Sequence, residues 1–238
     1  MSTMLTTKGR KGLAAIALVA MTGTMAACGS SDDSSASASS SSSSSSSSAS
    51  TQAAPKPVAA IDSLTGKNTQ VALDAGFVDA LKSLKLTPGT TGKAKLVGGG
   101  GTLQFPISGG NVTVFKPGTV SPYVIGQVQH EGSGLSLTAG DTKVEINNLN
   151  VDPGVSRVYG DVLVNGEVAA SSAYVFTLDG RTLNPLKTGD GTATLQGTKV
   201  EISPVAAGLL NQTFKTDAVK PGLLVGIAKI TVNTTPGD

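Results

Sequence analysis

Few side chains in this 238-residue sequence can do chemistry. It has one histidine, His130, one cysteine, Cys28, three tyrosines, Tyr123, Tyr159 and Tyr174, and no tryptophan. His130 stands in Gly126-Gln127-Val128-Gln129-His130-Glu131-Gly132-Ser133-Gly134. An imidazole can act as a general base or a metal ligand. A Ser-His-Asp triad needs a nucleophile elbow of the Gly-x-Ser-x-Gly type. The nearest serine, Ser133, sits in Glu-Gly-Ser-Gly-Leu and lacks that frame. Zinc takes three or four protein ligands, so one histidine and one cysteine predict no metal site. Asp152, Asp161, Asp179 and Asp190 lie beside glycine or proline, where aspartate ordinarily serves turns, and Asp217 stands apart from them. Carboxylates brought together by folding could make a hydrolase, but no linear motif supports a pair. The run Gly98-Gly99-Gly100-Gly101-Thr102 lacks the Lys-Ser/Thr of a phosphate cradle and reads as a flexible loop.

The neighbours of His130 set its expected role. Val124 and Val128 precede it, and Leu135 and Leu137 follow it. The pattern predicts one strand ending at His130 and another starting after it, with the imidazole in a solvated hairpin tip. A single titratable residue without visible partners is weak evidence for a site.

Cys28 is placed by a different pattern. Lys8, Arg10 and Lys11 precede the apolar stretch Leu13 to Val19, and Met25-Ala26-Ala27 leads into the cysteine. That is a charged region, a short apolar region and a small-residue cleavage site in order. The segment resembles a bacterial lipoprotein signal with its lipobox. The resemblance implies that residues 1–27 are removed and that Cys28 carries the lipid as the new N-terminus. The apolar run is too short for a spanning helix, which takes ~20 residues. A plain secretory signal that leaves a free thiol is the alternative. Two acyl chains are enough for stable anchoring. The expected location is the extracytoplasmic face of the cell membrane, with the membrane reached through lipid on Cys28.

Charge and composition exclude other classes. Without the leader's three cations the chain has 15 basic and 16 acidic residues, a net charge of −1. Arg157 and Arg181 are then the only arginines, so no basic face for nucleic acid is expected. A lone cysteine allows no internal disulfide. Aromatic residues are 3% of the sequence, so the core must come from Val, Leu, Ile and Ala.

These residues need elements to position them. Residues 28–54 read as a tether, because Ser34 to Ser50 is nearly all serine and has nothing to bury. A coil of ~25 such residues spans roughly 25–30 Å. Residues 55–238 read as one mainly β domain of sandwich-like or barrel-like antiparallel sheets. Strand patterns occur at Val112 to Phe115, Leu135 to Leu137, Val144 to Ile146, Val162 to Val164 and Ile230 to Val232. Turn signals separate them at Gly109-Gly110-Asn111, Ala139-Gly140-Asp141, Asn165-Gly166, Asp179-Gly180 and Gly189-Asp190-Gly191. Two short helices are expected, one capped by Asp74 with Phe77, Leu81 and Leu84 on one face, one capped by Ser203 with Pro204 first. They belong to a pseudo-repeat. Thr69 to Asp74 aligns with Thr198 to Ser203, Leu81 with Leu210, and Ala94-Lys95-Leu96 with Ala228-Lys229-Ile230. Each unit reads strand, cap, helix, loop, strand.

A family resemblance follows from the first half of this domain. Phe105-Pro106-Ile107, Gly126 to His130, Leu135-Ser136-Leu137, Val144-Glu145-Ile146 and Asn148-Leu149 resemble the exported HtaA-type haem-uptake domains of actinobacteria. The resemblance implies haem as ligand and His130 as a supporting residue near the iron. The family's haem-ligating tyrosine lies in a Ser-Phe-x-x-Tyr helix. Here the helix after Asp74 has Phe77 but no tyrosine. If haem binds, Tyr123 or Tyr159 is the candidate phenolate, since tyrosine and histidine both ligate haem iron. Tyr123 is favoured because it opens the strand that leads to His130. Their odd separation puts the two on opposite faces of a regular strand, unless a bulge at Gly126 resets the register.

Together these readings predict a lipid-anchored, non-catalytic protein with a binding or envelope role. Haem capture is the alternative, and a hydrolase of dispersed carboxylates is the second alternative. No cofactor other than haem is expected. Cys28→Ala should release the protein from membranes or leave it unprocessed. Fractionation and intact mass of the product check this, and normal processing with full membrane retention would refute it.

Overall fold

The alternation of Val, Ile, Leu and Ala with polar residues gives a sheet with one apolar face, which must curl to bury it. The computed structural model describes residues 54–234. The leader, Cys28 and the serine-rich tether up to residue 53 lie outside the described residues. The strands are β1 (Ala59–Ile61), β2 (Lys67–Leu73), β3 (Thr87–Gly92), β4 (Lys95–Val97), β5 (Thr102–Pro106), β6 (Gly109–Val114), β7 (Val124–Ala139), β8 (Thr142–Asp152), β9 (Arg157–Val164), β10 (Glu167–Asp179), β11 (Lys187–Gly189), β12 (Thr192–Ile202) and β13 (Leu224–Asn233). They form one sheet in the order β1-β6-β7-β8-β9-β10-β12-β13-β2-β5-β4, with β3 added to β7 and β11 to β12. All ladders are antiparallel. The expected sandwich or barrel is thus a single curled sheet, a half-barrel with two helices.

Curling brings distant strands together. After Pro106 the chain leaves β5 beside β2 and enters β6 beside β7. Ile107 N–H donates to the Lys67 carbonyl at 3.2 Å, and Ser108 N–H donates to the Gln129 carbonyl at 2.8 Å. Two consecutive residues therefore tie the two sides of the curl. Phe105, Ile107, Leu103, Val128, Leu149 and Val175 belong to the continuous apolar core inside it.

The helices cover part of this core. α1 (Ala75–Ser83) starts at Asp74, whose side chain accepts from Gly76 N and Phe77 N, and it buries Phe77 and Leu81. α2 (Pro204–Phe214) starts at Ser203, whose hydroxyl accepts from Ala206 N, and it buries Ala206, Ala207 and Leu210. A side-chain cap of this kind contributes about 1 kcal/mol. The pseudo-repeat holds from strand through cap to helix. Beyond the helix it fails: β13 returns beside β12, whereas β4 pairs β5 and not β2. The second unit is a closed strand-helix-strand; the first inserts β3 and sends its return strand to the sheet edge.

The turn reading holds at Asn165-Gly166, which joins β9 to β10 with φ of 51° and 87°, as a type I′ turn requires. It also holds at Gly140 between β7 and β8 and at Asp190-Gly191 between β11 and β12. Two glycine clusters behave otherwise. Gly109-Gly110-Asn111 is inside β6, and a Cβ on Gly110 would stand 2.0 Å from the Gln127 carbonyl oxygen. That glycine permits close strand approach rather than a turn. The expected flexible loop at Gly98 is a short 3₁₀ turn, Gly98–Gly100, leading directly into β5.

The largest departure is at His130. The two expected strands around it are one strand of 16 residues. The Glu131 to Ser133 segment is a bulge, because the β7–β8 register breaks between His130 and Gly134. The β8–β9 register breaks between Asn147 and Asn150, and β9–β10 breaks between Ala170 and Ala173. Each break holds a left-handed residue: Gly132 at φ 67°, Asn148 at 54° and Ser172 at 47°. Side chains join the three. Gly132 N–H donates to Asn148 Oδ1 at 3.0 Å, Asn148 Nδ2 donates to Asp161 Oδ2 at 2.9 Å, and Ser172 N–H donates to Asp161 Oδ1 at 2.9 Å. Bulges bend a strand and raise its twist, so a row of them across four strands folds the sheet along one line.

Asn148→Ala removes both side-chain bonds and places a Cβ-only residue in the left-handed region. It should lower the stability of the domain by about 2 kcal/mol, and Asn148→Gly, which keeps the backbone freedom, by less. Urea unfolding of both variants checks the order.

Candidate functional site

Because β7 continues through residue 130, its even-numbered residues from Val124 to His130 all face inward. Val124, Val128 and His130 are buried, whereas Ile125 and Gln127 are exposed. His130 is 1% exposed and is one of the largest fully buried side chains among the described residues. Its Nδ1 lies 3.2 Å from the Leu149 carbonyl and its Nε2 lies 2.8 Å from Thr69 Oγ1. A carbonyl only accepts, so Nδ1 carries the proton. Nε2 then accepts from the Thr69 hydroxyl. Phe105 meets the imidazole edge-on, with ring centroids 6.1 Å apart and planes at 74°. Burial pushes the His130 pKa down from 6.5 to about 4, and the Leu149 carbonyl pulls it partly back. The ring is therefore neutral at pH 7.

His130 and Thr69 line an interior cavity of about 490 Å³. Its walls are largely apolar: Val71, Phe105, Val128, Leu149, Val158 and Phe176 are among them. Exposed lining residues such as Ala60, Pro122, Ser156 and Arg181 mark where it reaches solvent. Arg181 brings no free cation there. Its Nε and Nη2 each donate to Asp179 at 2.9 Å, and this holds the Asp179 carboxyl at about 2.

Tyr123 also lines the cavity, from the residue just before β7. The β6–β7 register runs unbroken from Gly109–Gln129 to Val114–Val124, so there is no bulge at Gly126. The condition for Tyr123 and His130 to share one face of a strand is therefore not met. Tyr159 is elsewhere: it faces outward on β9, tilted against Tyr174 at 6.2 Å. Arg157 lies over the Tyr174 ring, 4.5 Å from its centroid.

Asp152, Asp161 and Asp179 are occupied in structure. Asp152 accepts from Val155 N, Asp179 accepts from Arg181 N, and Asp161 holds the bulge row. The Asn148 amide, followed by the Ser172 N–H, keeps the Asp161 carboxyl below its usual range. Among the described residues no group of three or more His, Cys, Asp or Glu side chains could hold a metal ion. Thr69 is the site residue that sequence reasoning missed. Nothing in its linear context marks it; only the curl places β2 opposite β7.

The fold resembles that of HtaA. The C-terminal domain of HtaA from Corynebacterium glutamicum aligns with a TM-score of 0.50 at 15% identity, covering 72% of this chain and 98% of that one. A domain-swapped dimer of a histidine-to-alanine variant of the same domain aligns at 0.42, 15% identity, 68% and 92% coverage. The heme binding protein HtaB from C. glutamicum aligns at 0.40, 9% identity, 74% and 96% coverage. No protein-family model and no curated protein matches the sequence. At 15% identity the likeness to the HtaA domain establishes shared architecture only.

The buried imidazole has a pH signature. Its folded pKa lies below its unfolded value, so the unfolded chain binds a proton that the folded state refuses. Stability should be complete above pH 6.5 and fall as pH drops towards about 4. The full loss is about 3 kcal/mol. Urea unfolding at pH 7 and pH 4.5 should show most of it, and a His130→Asn variant should lack that part of the slope.

Proposed function

We propose that this chain is a lipid-anchored, non-catalytic binding protein that holds a haem-class ligand in the cavity of its curled sheet. The observation that carries this reading is His130: a neutral imidazole, its Nδ1–H fixed by a backbone carbonyl, in the wall of an apolar cavity. That tautomer leaves the Nε2 lone pair as the metal-directed atom, the arrangement usual for a ligating histidine. The cavity volume of about 490 Å³ lies in the range of small-molecule sites, ~300–1,000 Å³. The sequence resemblance to HtaA-type haem-uptake domains supplies the ligand class, and the shared architecture agrees with it. Export with an anchor on Cys28 would keep the domain at the extracytoplasmic face.

The residues present fit such a ligand in two respects. The apolar walls exclude water from a flat hydrophobic face. His130 Nε2 would hold the haem iron, since histidine is an established haem-iron ligand. Thr69 must release Nε2 for that. The unbroken register at Gly126 leaves Tyr123 as a wall residue, so His130 carries the ligation.

Titration of residues 29–238 with hemin tests the reading. Saturable binding near one equivalent with a shifted Soret band is expected, and His130→Ala should abolish the shift. Thr69→Val removes the hydroxyl that competes for Nε2, an interaction of ~1 kcal/mol, and should tighten binding roughly fivefold. Tyr123→Phe should leave affinity unchanged. A spectrum no different from that of a non-binding control protein would remove the haem reading.

A further inference from the structure

The outer face of the sheet carries a second, chemically opposite arrangement. Gln129 on β7 stands directly across from Asn150 on β8, Asn150 from Tyr159 on β9, and Tyr159 from Tyr174 on β10. Four strands thus present one transverse row: amide, amide, phenol, phenol. These positions alternate with inward-facing Val128, Leu149, Val151, Val158 and Val175, so the row points away from the core. Beside it the bulges open a groove of about 560 Å³, lined by Gln129, Glu131, Asn148, Asn150, Tyr159 and Asp161 among others. Asn150 Oδ1 is shielded from solvent yet has no hydrogen-bond partner, and its amide nitrogen makes only a long bond of 3.4 Å to Gln127 Oε1. An unsatisfied buried acceptor costs free energy, and one at a groove wall is an acceptor ready for an incoming donor.

We propose that this groove binds an uncharged glycan chain. The lining supplies what a polyhydroxylated ring needs. Planar amides offer donors and acceptors to vicinal hydroxyls. Asp161 is fixed by Asn148 and Ser172 as an oriented acceptor. Tyr159 offers an aromatic face on which the C–H side of a sugar ring can pack, and the Tyr174 ring under Arg157 backs it. A nucleic acid would meet Glu131 and Asp161 with no more than Lys93, beside Gly132, and Arg157 to oppose them, and an apolar ligand would meet too many polar atoms. The groove borders His130 and Leu149, which also line the inner cavity, but the row of amides and phenols is on the outer face, so the proposal does not rest on a ligand in that cavity.

Full-length protein in mild detergent, incubated with insoluble cellulose, chitin and mannan, tests it. Retention on at least one of these is expected. Tyr159→Ala and Asn150→Ala should each weaken retention roughly tenfold, the size of a strong contact at a recognition surface. Tyr159→Phe, which keeps the ring, should retain most of it. Hemin titration and thermal melting of the Asn150→Ala variant should match the wild type, which separates loss of the groove from loss of fold. Absence of retention on all three polymers, or retention indifferent to both alanine variants, overturns the proposal.

Discussion

One buried imidazole spans the curl. β7 and β2 are separated by five strands in the sheet order, yet His130 on the first reaches Thr69 on the second. The same ring holds Leu149 on the neighbouring strand through its other nitrogen. A side chain at this position must donate at one end and accept at the other, with both ends buried. Neutral histidine does so with a rigid ring. The charged form would be a cation buried away from water, which is why the ring resists protonation. The interaction therefore fixes the width of the curl, and with it the cavity that the imidazole walls.

The bulge row makes this possible. Without an extra residue at Asn148, the alternation that points Val144 and Ile146 inward would point Asn150 inward and Leu149 out. With it, Leu149 and Val151 stay inside, and Asn150 faces out. The insertion in β7 does the same for His130 and Leu137. Asp161 stands on β9, which has no left-handed residue of its own, and its carboxylate bonds to the bulges on either side. Two features follow from one device: an apolar concave interior and a polar exterior groove along the fold line.

Much of the architecture was legible in the sequence because local chemistry and final structure agree there. Asp74 and Ser203 cap the two helices, Leu81 and Leu210 are buried as their spacing predicts, and Asn165-Gly166 turns a hairpin. The environment of His130 was not legible. Glu131-Gly132-Ser133-Gly134 has turn composition because bulges and turns use the same resource, a residue that tolerates positive φ. Sequence alone cannot tell whether such a residue reverses the chain or only bends it. Gly110 misleads in the same way, since it is demanded by the backbone of Gln127 rather than by a turn. Thr69 and the outer row at Asn150 and Tyr159 depend on register between strands, which no linear pattern encodes.

The state of Thr69 separates two kinds of occupant for the inner cavity. Thr69 is 5% exposed, so its hydroxyl has little access to water. A purely apolar ligand can fill the cavity and leave the Nε2 bond intact, gaining only from the walls. A ligand that takes Nε2 must break that bond, which costs about 1–3 kcal/mol if the hydroxyl finds no new acceptor. It has to return more than this through the nitrogen. A coordinating metal centre does so, and a hydrocarbon does not. The hydrogen bond that holds the curl together therefore also sets a threshold for entry, admitting ligation only to groups that compete for an imidazole lone pair.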